Sequence, residues 1–519
     1  MRILLWHGWI LEGSGSNVVT ARTAEVFRAA GHDVLLLCQQ VHTERYPWID
    51  AHGSVDGDGP TELVPNAAVS DAPGRCVLLR PRIGAVLPVF VLDRYEGFDD
   101  VRRFVDLTDD QLEGYVLANA EALQAAAAWH DSEVVFVGHA IPGAAIGRRA
   151  LGSRRYVAKI HGSDLEYAIR PQARYRELAR EGLESALTVV GPSAEALERC
   201  AALIPEMRDL GRVVPPGVEV TSFRPRPRAD ALQETAARLE SDPDTVRGRP
   251  PSLDVEVEKA LDRRDSRGLD ALATTYDQEV PEPGSAMRLR ALAGRDEPIV
   301  GYLGKLIPQK GAQLLLAAHR LSRRDAAALI VGFGSHRERL AALAIALRRG
   351  DERALAWLRG IGEMPIDPSV LGRSTAGVPD ALHLGGRDVT FTGRLDHRYA
   401  PGALAAMDVL VVPSILHEAF GMVAAEGAAA GALPMVARHS GLAEVAGILE
   451  GEVRRPGLFS FEPGEGAVVG LAEGIDRLLS LGPDERAELR RGVSGFVARE
   501  WTWERTAARL LEAAGVTGS

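Results

Sequence analysis

Two glutamates, Glu418 and Glu426, flank a sharp turn from an apolar segment into an alanine-rich one. The apolar run 409–412 is typical of a buried strand, and the residues after Gly421 are typical of a helix. The amino end of a helix binds anions through free N–H groups and a positive dipole end. Eight helical residues rise by about 12 Å, so the two carboxylates suit two ends of one extended ligand. An anion flanked by acceptors for hydroxyl groups describes a nucleotide diphosphate-sugar, although an ordinary crossover with solvated glutamates fits equally well.

Two lysines mark a second loop, which follows a strand predicted at 298–303. Lys305 and Lys310 lie in the glycine-containing sequence 304–311, and a helix is predicted after it. Lysines at the carboxyl end of a strand can neutralise a diphosphate as compact point charges. Solvated loop lysines are the alternative interpretation.

Two histidines follow predicted buried strands. His139 comes after the strand at 134–137, and His161 after the strand at 156–160. In an open α/β sheet the carboxyl ends of the strands form the edge where ligands bind. One histidine is more often a packed residue than a catalyst, but two at equivalent strand ends favour a functional role for His139.

A glycine-rich loop at 12–17 follows the first predicted strand and precedes a predicted helix at 18–30. Gly13 and Gly15 do not form a dinucleotide fingerprint, because Val18 stands where the third glycine belongs. Either the backbone approaches a ligand closely here, or glycine is needed only for a tight turn with positive φ.

Composition restricts the class of protein. The chain has 519 residues, 46% hydrophobic and 25% charged, which is enough for two or three globular domains. A formal net charge of −11 argues against a nucleic-acid partner. The three cysteines are scattered, which indicates a reducing compartment, and no apolar run is long enough to span a membrane.

Residues 148–181 depart from this acidic balance. They contain nine Arg or Lys and four Asp or Glu, a local net charge of +5. A solvated helical face is the favoured explanation. A patch for an anionic acceptor or a membrane surface is the alternative.

Strands and helices alternate in both halves, which predicts parallel sheets with right-handed crossovers. We therefore expect an α/β protein with two doubly wound Rossmann-like domains. Residues 43–75 are rich in Gly, Asp and Pro and are predicted to form a long loop. The predicted divisions are a first domain at 1–226, a helical or mobile insertion at 227–295, a second domain at 296–500 with an insertion at 345–386, and a helix at about 501–519 that can pack back on the first domain.

The second half resembles the family 4 retaining glycosyltransferases. The specific match is Glu418-Ala419-Phe420-Gly421 with Glu426, which is that family's Glu-x7-Glu signature in its strand–loop–helix setting. The first half is similar more loosely, and the two insertions have no counterpart. The other matching positions are Gly304-Lys305-Leu306, Lys310-Gly311, Val331-Gly332-x-Gly334, Phe391-x-Gly393 and Pro413-Ser414, with Gly13–Gly15, Gly31-His32, Gly138-His139, His161-Gly162-x-Asp164 and Pro216-Gly217-Val218 in the first half.

The resemblance implies the GT-B fold, in which the two Rossmann-like domains face each other across a cleft, here with helical insertions. A nucleotide-sugar donor would bind mainly to the second domain. Glu426 would bind the ribose hydroxyls, and Glu418 the hydroxyls of the donor sugar. Lys305 and Lys310 would stabilise the leaving diphosphate. The family usually has Arg at position 305, and Lys there keeps the charge but loses the bidentate fork.

The resemblance also implies contacts from the other elements. His139 would lie near the reacting sugar carbon. The remaining implied contacts are donor-binding Gly13, Ser14 and Gly15 from the first domain, Arg394 beside the base, backbone N–H groups of Phe420, Gly421, Met422 and Val423, and acceptor-side His161 and Asp164.

We therefore expect a hexosyltransferase that moves a sugar from a nucleotide diphosphate-sugar to an unidentified acceptor. Retention of anomeric configuration is implied by the resemblance alone. Lysines and a helix terminus can stabilise the leaving group, and no Asp-x-Asp motif lies in a suitable loop, so no metal and no cofactor are expected. Two alternatives stay open: a nucleotide-sugar epimerase or phosphorylase on the same fold, and a non-catalytic nucleotide-sugar-binding protein.

The expected setting is a bacterial cytoplasm, with peripheral contact at the inner membrane face left open. The acceptor is expected to be a small molecule, a lipid-linked compound or a glycan. We expect a monomer or a homodimer and no nucleic-acid partner.

Overall fold

The computed structural model describes residues 1–92, 97–367, 369 and 388–516. The chain forms two compact units, Met1–Gly217 with Trp501–Ser519, and Val218–Glu500. The first unit ends before the predicted boundary at 226, and the chain returns to it at Trp501. Each unit has its own mainly parallel sheet, as the alternation of strands and helices predicted.

The strands of the first unit are β1 (Arg2–Trp6), β2 (Asp33–Leu37), β3 (Ala51–Asp56), β4 (Gly59–Pro60), β5 (Val64–Pro65), β6 (Arg75–Pro81), β7 (Val86–Val89), β8 (Asp100–Arg103), β9 (Val134–Gly138), β10 (Val157–Lys159), β11 (Thr188–Gly191) and β12 (Gly211–Val213). A 10-stranded sheet has the order β12-β11-β10-β9-β1-β2-β6-β3-β4, with β5 paired to β3, while β7 pairs with β8 separately. Among the strands described in this unit, β4 and β5 pair antiparallel, both with β3, and the others pair in parallel. The strand order reverses between β1 and β9, which is the position where open α/β sheets bind ligands.

Two apolar clusters cover the two faces of this sheet. One contains residues of the helices Asp109–His130, Ala144–Leu151 and Ala173–Glu184. The other contains residues of Gly15–Ala29 and Trp503–Ala513. The strands are therefore buried on both sides, as their continuous apolar runs predicted. The remaining helices and helical turns of this unit are Thr43–Arg45, Phe104–Asp106, His139–Gly143, Gly162–Asp164, Leu165–Ile169, Ala194–Leu203 and Pro205–Leu210.

The prediction of a long loop at 43–75 is wrong. This segment contains β3, β4 and β5 and leads into β6. β3 pairs in parallel with β6, from Ala51 opposite Val77 to Val55 opposite Pro81. Since β3 has several half-exposed residues and no apolar run, its partner strand and not its local sequence makes it a strand.

The strands of the second unit are β13 (Ile299–Lys305), β14 (Ala327–Phe333), β15 (Val389–Phe391), β16 (Val409–Val412), β17 (Leu433–Ala437) and β18 (Ser460–Phe461). They pair in parallel in the order β15-β14-β13-β16-β17-β18. This is the Rossmann order, and it reverses between β13 and β16. The α-helices described in this unit are Arg228–Glu240, Leu253–Arg263, Ser266–Leu272, Ser285–Ala293, Ala312–Leu321, Arg337–Arg349, Glu352–Gly360, Ala400–Ala406, Met422–Ala429, Ser440–Glu452, Ala467–Leu479 and Pro483–Glu500, with the short turns Pro243–Arg247 and Pro308–Lys310.

The segment 227–295 is helical and is tied into the second unit by buried ion pairs. Arg249 makes a bidentate pair with Glu338, with N–O distances of 2.8 and 2.9 Å and both side chains almost fully buried. Arg337 donates to Glu282 at 2.6 Å. These charges are therefore part of the packing of the unit.

The second predicted insertion, at 345–386, contains the helix Glu352–Gly360. Its positions 368 and 370–386 lie outside the described residues.

The terminal helix Trp503–Ala513 lies within the first unit. Thr506 Oγ1 donates to the Pro215 carbonyl at 2.9 Å, and the side chains of Ala507 and Leu510 are buried in the apolar cluster. Across the part of the chain that the structure describes, no helix combines the length and apolar character needed to cross a bilayer.

Candidate functional site

The loops after β13 and β16 meet where the strand order of the second unit reverses. The Ile415 N–H donates to the Gln309 carbonyl at 2.8 Å. Lys310 and Glu418 form an ion pair across the two loops, and their side chains are 31% and 23% exposed. The structure thus brings together one lysine and one glutamate of the predicted site at the edge where ligands bind in this fold.

Two glycines permit this close approach. Gly311 has a φ of 77°, and a Cβ at this position would lie 2.0 Å from the Pro413 carbonyl oxygen. Gly421 has a φ of 104°, and its Cβ would lie 2.5 Å from the Leu442 side chain. Other residues would be strained in both places.

The helix Met422–Ala429 begins directly after the β16 loop, with Gly421 as its amino-terminal cap residue. The N–H groups of Met422 and Val423 have no acceptor among the described residues. Unpaired donors at a positive dipole end attract an anion. This terminus is where the sequence predicted the diphosphate to bind.

The backbone of Glu418 is held by the following crossover. Its N–H donates to Ser440 Oγ at 3.1 Å, and its carbonyl accepts from the Gly441 N–H at 2.9 Å. The neighbouring Phe420 side chain is buried, so only its backbone can contact a ligand. The β16 loop is thus rigidly placed from both sides.

Glu426 lies within the helix, and its side chain is 12% exposed. His397 Nε2 is 3.8 Å from Glu426 Oε1, and the Phe223 ring packs edge-on against the same imidazole with centroids 5.9 Å apart. The two predicted glutamates therefore lie on different elements, one on the loop and one on the helix.

Lys305 and Arg394 both lie close to the ring of Phe333. The Lys305 ammonium is 5.9 Å and the Arg394 guanidinium 5.1 Å from the centroid of Phe333. Arg394 also pairs with Glu279 at 3.1 Å. Both predicted cations are thus brought together above the carboxyl end of β14.

In the first unit, four aromatic residues cluster after β1, β9 and β10. The His139 ring lies 4.3 Å from that of His161, 4.5 Å from that of Trp9 and 5.9 Å from that of His7, measured between centroids. His139 has a φ of 69°, and both of its ring nitrogens are buried without a hydrogen-bond partner. A non-glycine residue in this conformation, with unsatisfied polar atoms, is typical of a functional site.

Asp164 holds the two histidine loops together. Its fully buried carboxylate accepts the backbone N–H groups of Ala140 at 2.7 Å and His161 at 3.1 Å, and His139 Nδ1 lies 3.6 Å away. Burial raises the pKa of Asp164 to about 7, against the opposite effect of these N–H donors. The family resemblance implied an acceptor-side role for Asp164, and this stays a prediction. In the structure its enclosed carboxylate holds the backbone around both histidines.

The sequence analysis missed His7 and Lys159. His7 follows β1 and its Nε2–H donates to Asn17 Oδ1 at 2.9 Å, while burial lowers its pKa to about 4. Lys159 is the last residue of β10 and is 8% exposed, and burial lowers its pKa to about 8. The signal was present, because both follow the apolar run of a strand as His139 does.

The glycine loop of the first unit serves partly as a helix cap. Ser14 is the amino-terminal cap of Gly15–Ala29, and its Oγ accepts from the Asn17 N–H at 3.4 Å. Gly13 has a φ of 90° and open space where a Cβ would stand. The turn requires Gly13, and the space beside it leaves room for a ligand.

Four of the eight arginines in the basic segment 148–181 have carboxylate partners. Arg149 pairs with Glu113 at 2.6 Å, and Arg174 pairs with Asp109 at 2.7 Å. These pairs reduce the local charge that the sequence count indicated.

Comparison with known proteins places this fold among enzymes that transfer sugars. Residues 353–480 match the family model described as glycosyl transferases group 1. A GDP-mannose-dependent alpha-(1-6)-phosphatidylinositol monomannoside mannosyltransferase from Mycolicibacterium smegmatis is 26% identical over 401 residues, which cover 74% of this chain and 76% of that relative.

Solved structures match over nearly the whole chain at low identity. Sucrose-phosphate synthase from Thermosynechococcus elongatus has a TM-score of 0.57 and 18% identity, covering 98% of this chain and 97% of the other. Anabaena HepE in complex with UDP has a TM-score of 0.56 and 13% identity, with full coverage of both chains. The catalytic domain of starch synthase IV from Arabidopsis thaliana, bound to ADP and acarbose, has a TM-score of 0.54 and 12% identity, covering 99% and 98%. These matches confirm the GT-B fold.

Proposed function

We propose that the chain, a glycosyltransferase with the GT-B fold, transfers a hexosyl group from a nucleotide diphosphate-sugar to an acceptor with retention of anomeric configuration. One observation carries the proposal. The Lys310–Glu418 ion pair joins two loops at the strand-order reversal, beside the free amino end of Met422–Ala429. This combination supplies a cation, dipolar N–H groups and a hydroxyl acceptor at one edge.

In the proposed reaction, negative charge grows on the departing diphosphate. Lys310, Lys305 and the N–H groups of Met422 and Val423 stabilise that charge as the bond to the sugar breaks. They are held before the reaction by the loop contacts, so little reorganisation is needed. We therefore propose that neither a metal nor a cofactor takes part.

The other groups of the second unit hold the donor. Glu418 accepts hydrogen bonds from the donor sugar, and its ion pair keeps both side chains in place. Glu426 accepts from the ribose hydroxyls, and Arg394 with Phe333 lies beside the base. The proposal does not specify the base of the nucleotide. The mannosyltransferase relative is named for GDP-mannose, while two of the similar solved structures contain UDP and ADP.

His139 is proposed to contact the reacting sugar. Burial, together with the charges of neighbouring His161, His7 and Lys159, lowers its pKa well below the ordinary value. A neutral imidazole with two unpaired nitrogens can exchange hydrogen bonds with sugar hydroxyls without adding charge. The acceptor is proposed to bind in the first unit. Its hydroxyl oxygen forms the new bond to the anomeric carbon on the face that the diphosphate leaves, and its proton passes to the departing diphosphate.

Thermal stability tests the donor site directly. UDP, GDP and ADP, and their glucose, mannose and N-acetylglucosamine conjugates, are added to wild type and to Glu426→Ala, once with Mg²⁺ and once with EDTA. A ligand at 100 times its Kd should stabilise the fold by about 2.7 kcal/mol. One base should raise the Tm of wild type and not that of Glu426→Ala.

The matched control is Glu473→Ala, which removes an exposed glutamate of the helix Ala467–Leu479 and should retain the response. The donor proposal fails if no nucleotide shifts the wild-type Tm, or if Glu426→Ala responds as wild type does. A shift that EDTA abolishes would refute metal independence alone.

A further inference from the structure

Lysine is rare in this chain and unevenly placed. Of 60 Lys and Arg residues, only four are lysines. Lys259 is an exposed helix residue that pairs with Glu256 at 2.8 Å. The other three, Lys159, Lys305 and Lys310, lie at or just after the carboxyl ends of strands. Because arginine serves as the cation almost everywhere else, lysine at these three positions indicates a need for a compact point charge.

Lys159 differs from the two donor-site lysines because it is buried without a counter-charge. The residue is 8% exposed, and its ammonium has no ion pair or hydrogen bond among the residues that the structure describes. The ammonium is not one of the fully enclosed polar atoms, so a ligand can reach it. A buried unpaired cation destabilises a fold, so it is retained where a ligand supplies the missing charge.

The register of β10 determines which way Lys159 faces. Val157 is buried in the apolar cluster under the helix Gly15–Ala29, and Lys159 points to the same face because side chains alternate along a strand. Lys159 pairs with Gly138, the residue before His139. Its side chain therefore lies at the carboxyl edge, on the side of the glycine loop.

Neighbouring groups at this edge also lack partners. The Nε2 atom of His161 and both ring nitrogens of His139 are buried without hydrogen bonds. After burial, the Lys159 charge is the next influence that lowers the pKa of His161. The carboxylate of Asp164 is occupied by backbone N–H groups and does not pair with Lys159. The edge thus has unsatisfied donors and an excess of positive charge.

We propose that Lys159, together with His161, binds an anionic group of the acceptor substrate, a phosphate or a carboxylate. This inference rests on the proposed function, in which the acceptor binds to the first unit. On this proposal the acceptor carries a negative charge. Lys305 and Lys310 bind the donor, and Lys159 binds the acceptor.

The scarcity of lysine allows a direct test by NMR. Protein labelled with ε-¹³C lysine should give four side-chain signals, and Lys159→Met identifies the one from Lys159. Inorganic phosphate should shift the Lys159 signal saturably, while the Lys259 signal stays unchanged. A nucleoside diphosphate should instead shift the signals of Lys305 and Lys310. A Lys159 signal that follows the nucleotide, or that phosphate leaves unmoved, would overturn the proposal whether or not transfer activity is found.

Transfer assays then identify the source of the anion. Two soluble acceptors are offered in a neutral and a phosphorylated form: glucose with glucose 6-phosphate, and inositol with inositol 1-phosphate. Phosphatidylcholine vesicles with and without phosphatidylinositol offer the same phosphorylated inositol as a lipid headgroup. Wild type should prefer a phosphorylated member at least tenfold in kcat/KM, which distinguishes a soluble phosphate from a lipid headgroup. Preference for the neutral members would contradict the proposal.

The variants separate recognition from folding. Lys159→Met should lose the preference through KM, Lys159→Arg should retain part of it, and donor binding should be unchanged in both. Lys159→Met should melt at the wild-type temperature or above it, because the variant removes an unpaired buried charge. A lower Tm with the preference intact would assign Lys159 a structural role instead.

Discussion

Lys310 is the residue on which the proposed chemistry depends most. It is the cation of the ion pair between the two loops, and the leaving diphosphate would need its charge most in the transition state. We expect Lys310→Met to lower kcat by about 10²–10³-fold, the range found when one donor to a developing negative charge is removed. Steady-state kinetics on the donor that the thermal screen selects measures this.

Two further variants test whether the loss of kcat comes from the charge at position 310. Lys310→Arg keeps the charge and should retain part of the rate, whereas Lys259→Met, at a surface position, should match wild type. Equal kcat in Lys310→Met and wild type would exclude this lysine from leaving-group stabilisation.

His7 makes the stability of the first unit depend on pH. Burial lowers its pKa to about 4 from 6.5, so the folded protein binds fewer protons than the unfolded chain between these values. His7 therefore contributes stability above pH 6.5 that is lost as the pH falls towards 4. The shift corresponds to about 3 kcal/mol. Asp164 acts in the opposite sense, because burial raises its pKa to about 7.

The contribution of His7 to this pH dependence is measured by comparing a His7 variant with wild type. Urea unfolding of His7→Gln between pH 4 and 8 should show about 3 kcal/mol less loss on acidification than wild type, since Asp164 is common to both proteins. His52→Gln, which changes a partly exposed histidine of β3, should follow the wild-type curve. Parallel curves for wild type and His7→Gln would show that His7 is protonated as readily in the folded protein as in the unfolded chain.

Gly421 sets the turn between β16 and its helix. Alanine there would adopt a φ of 104° and bring a Cβ to 2.5 Å from Leu442. We expect Gly421→Ala to destabilise the protein by about 1–3 kcal/mol. It should also weaken nucleotide binding, because the helix terminus would move. Thermal melts with and without nucleotide measure both effects.

A second glycine provides the comparison. Gly447 lies inside the helix Ser440–Glu452 with open space where a Cβ would stand, so Gly447→Ala should stabilise the protein by about 0.5–1 kcal/mol. If both substitutions act in the same direction, the backbone conformation of Gly421 is not what the turn requires.

The elements that could be predicted from the sequence are those whose own residues show the pattern of a strand, a turn or a helix. The strand before Glu418 is a continuous apolar run, and Gly421 separates it from an alanine-rich helix, so this part of the site was recognisable. β3 was missed because its strand character comes from pairing with β6. His7 and Lys159 were missed although their signal is local, because each stands at the carboxyl end of an apolar strand.

The insertion at 227–295 should matter for the stability of the whole second unit. Arg249→Met would leave Glu338 buried without its bidentate partner, although the Tyr276 hydroxyl still donates to it at 2.8 Å. We expect a loss of about 3–5 kcal/mol in the free energy of unfolding. Chemical denaturation monitored by circular dichroism gives this quantity.

An exposed pair of the same segment is the natural control. Arg290 pairs with Glu240 at the surface, and Arg290→Met should cost at most about 1 kcal/mol. Losses of equal size would show that the buried pair does not anchor the insertion.

The helix Trp503–Ala513 has a consequence for biosynthesis. It covers a face of the first sheet, yet the entire second unit, Val218–Glu500, is translated before it. At about 5–20 residues per second, a nascent first unit waits roughly 15–60 s with part of that apolar face uncovered, since of the two helices described on it only Gly15–Ala29 packs there during this time. During this interval the helix Trp503–Ala513 cannot yet shield the sheet, so the exposed apolar part can contact other chains and aggregate.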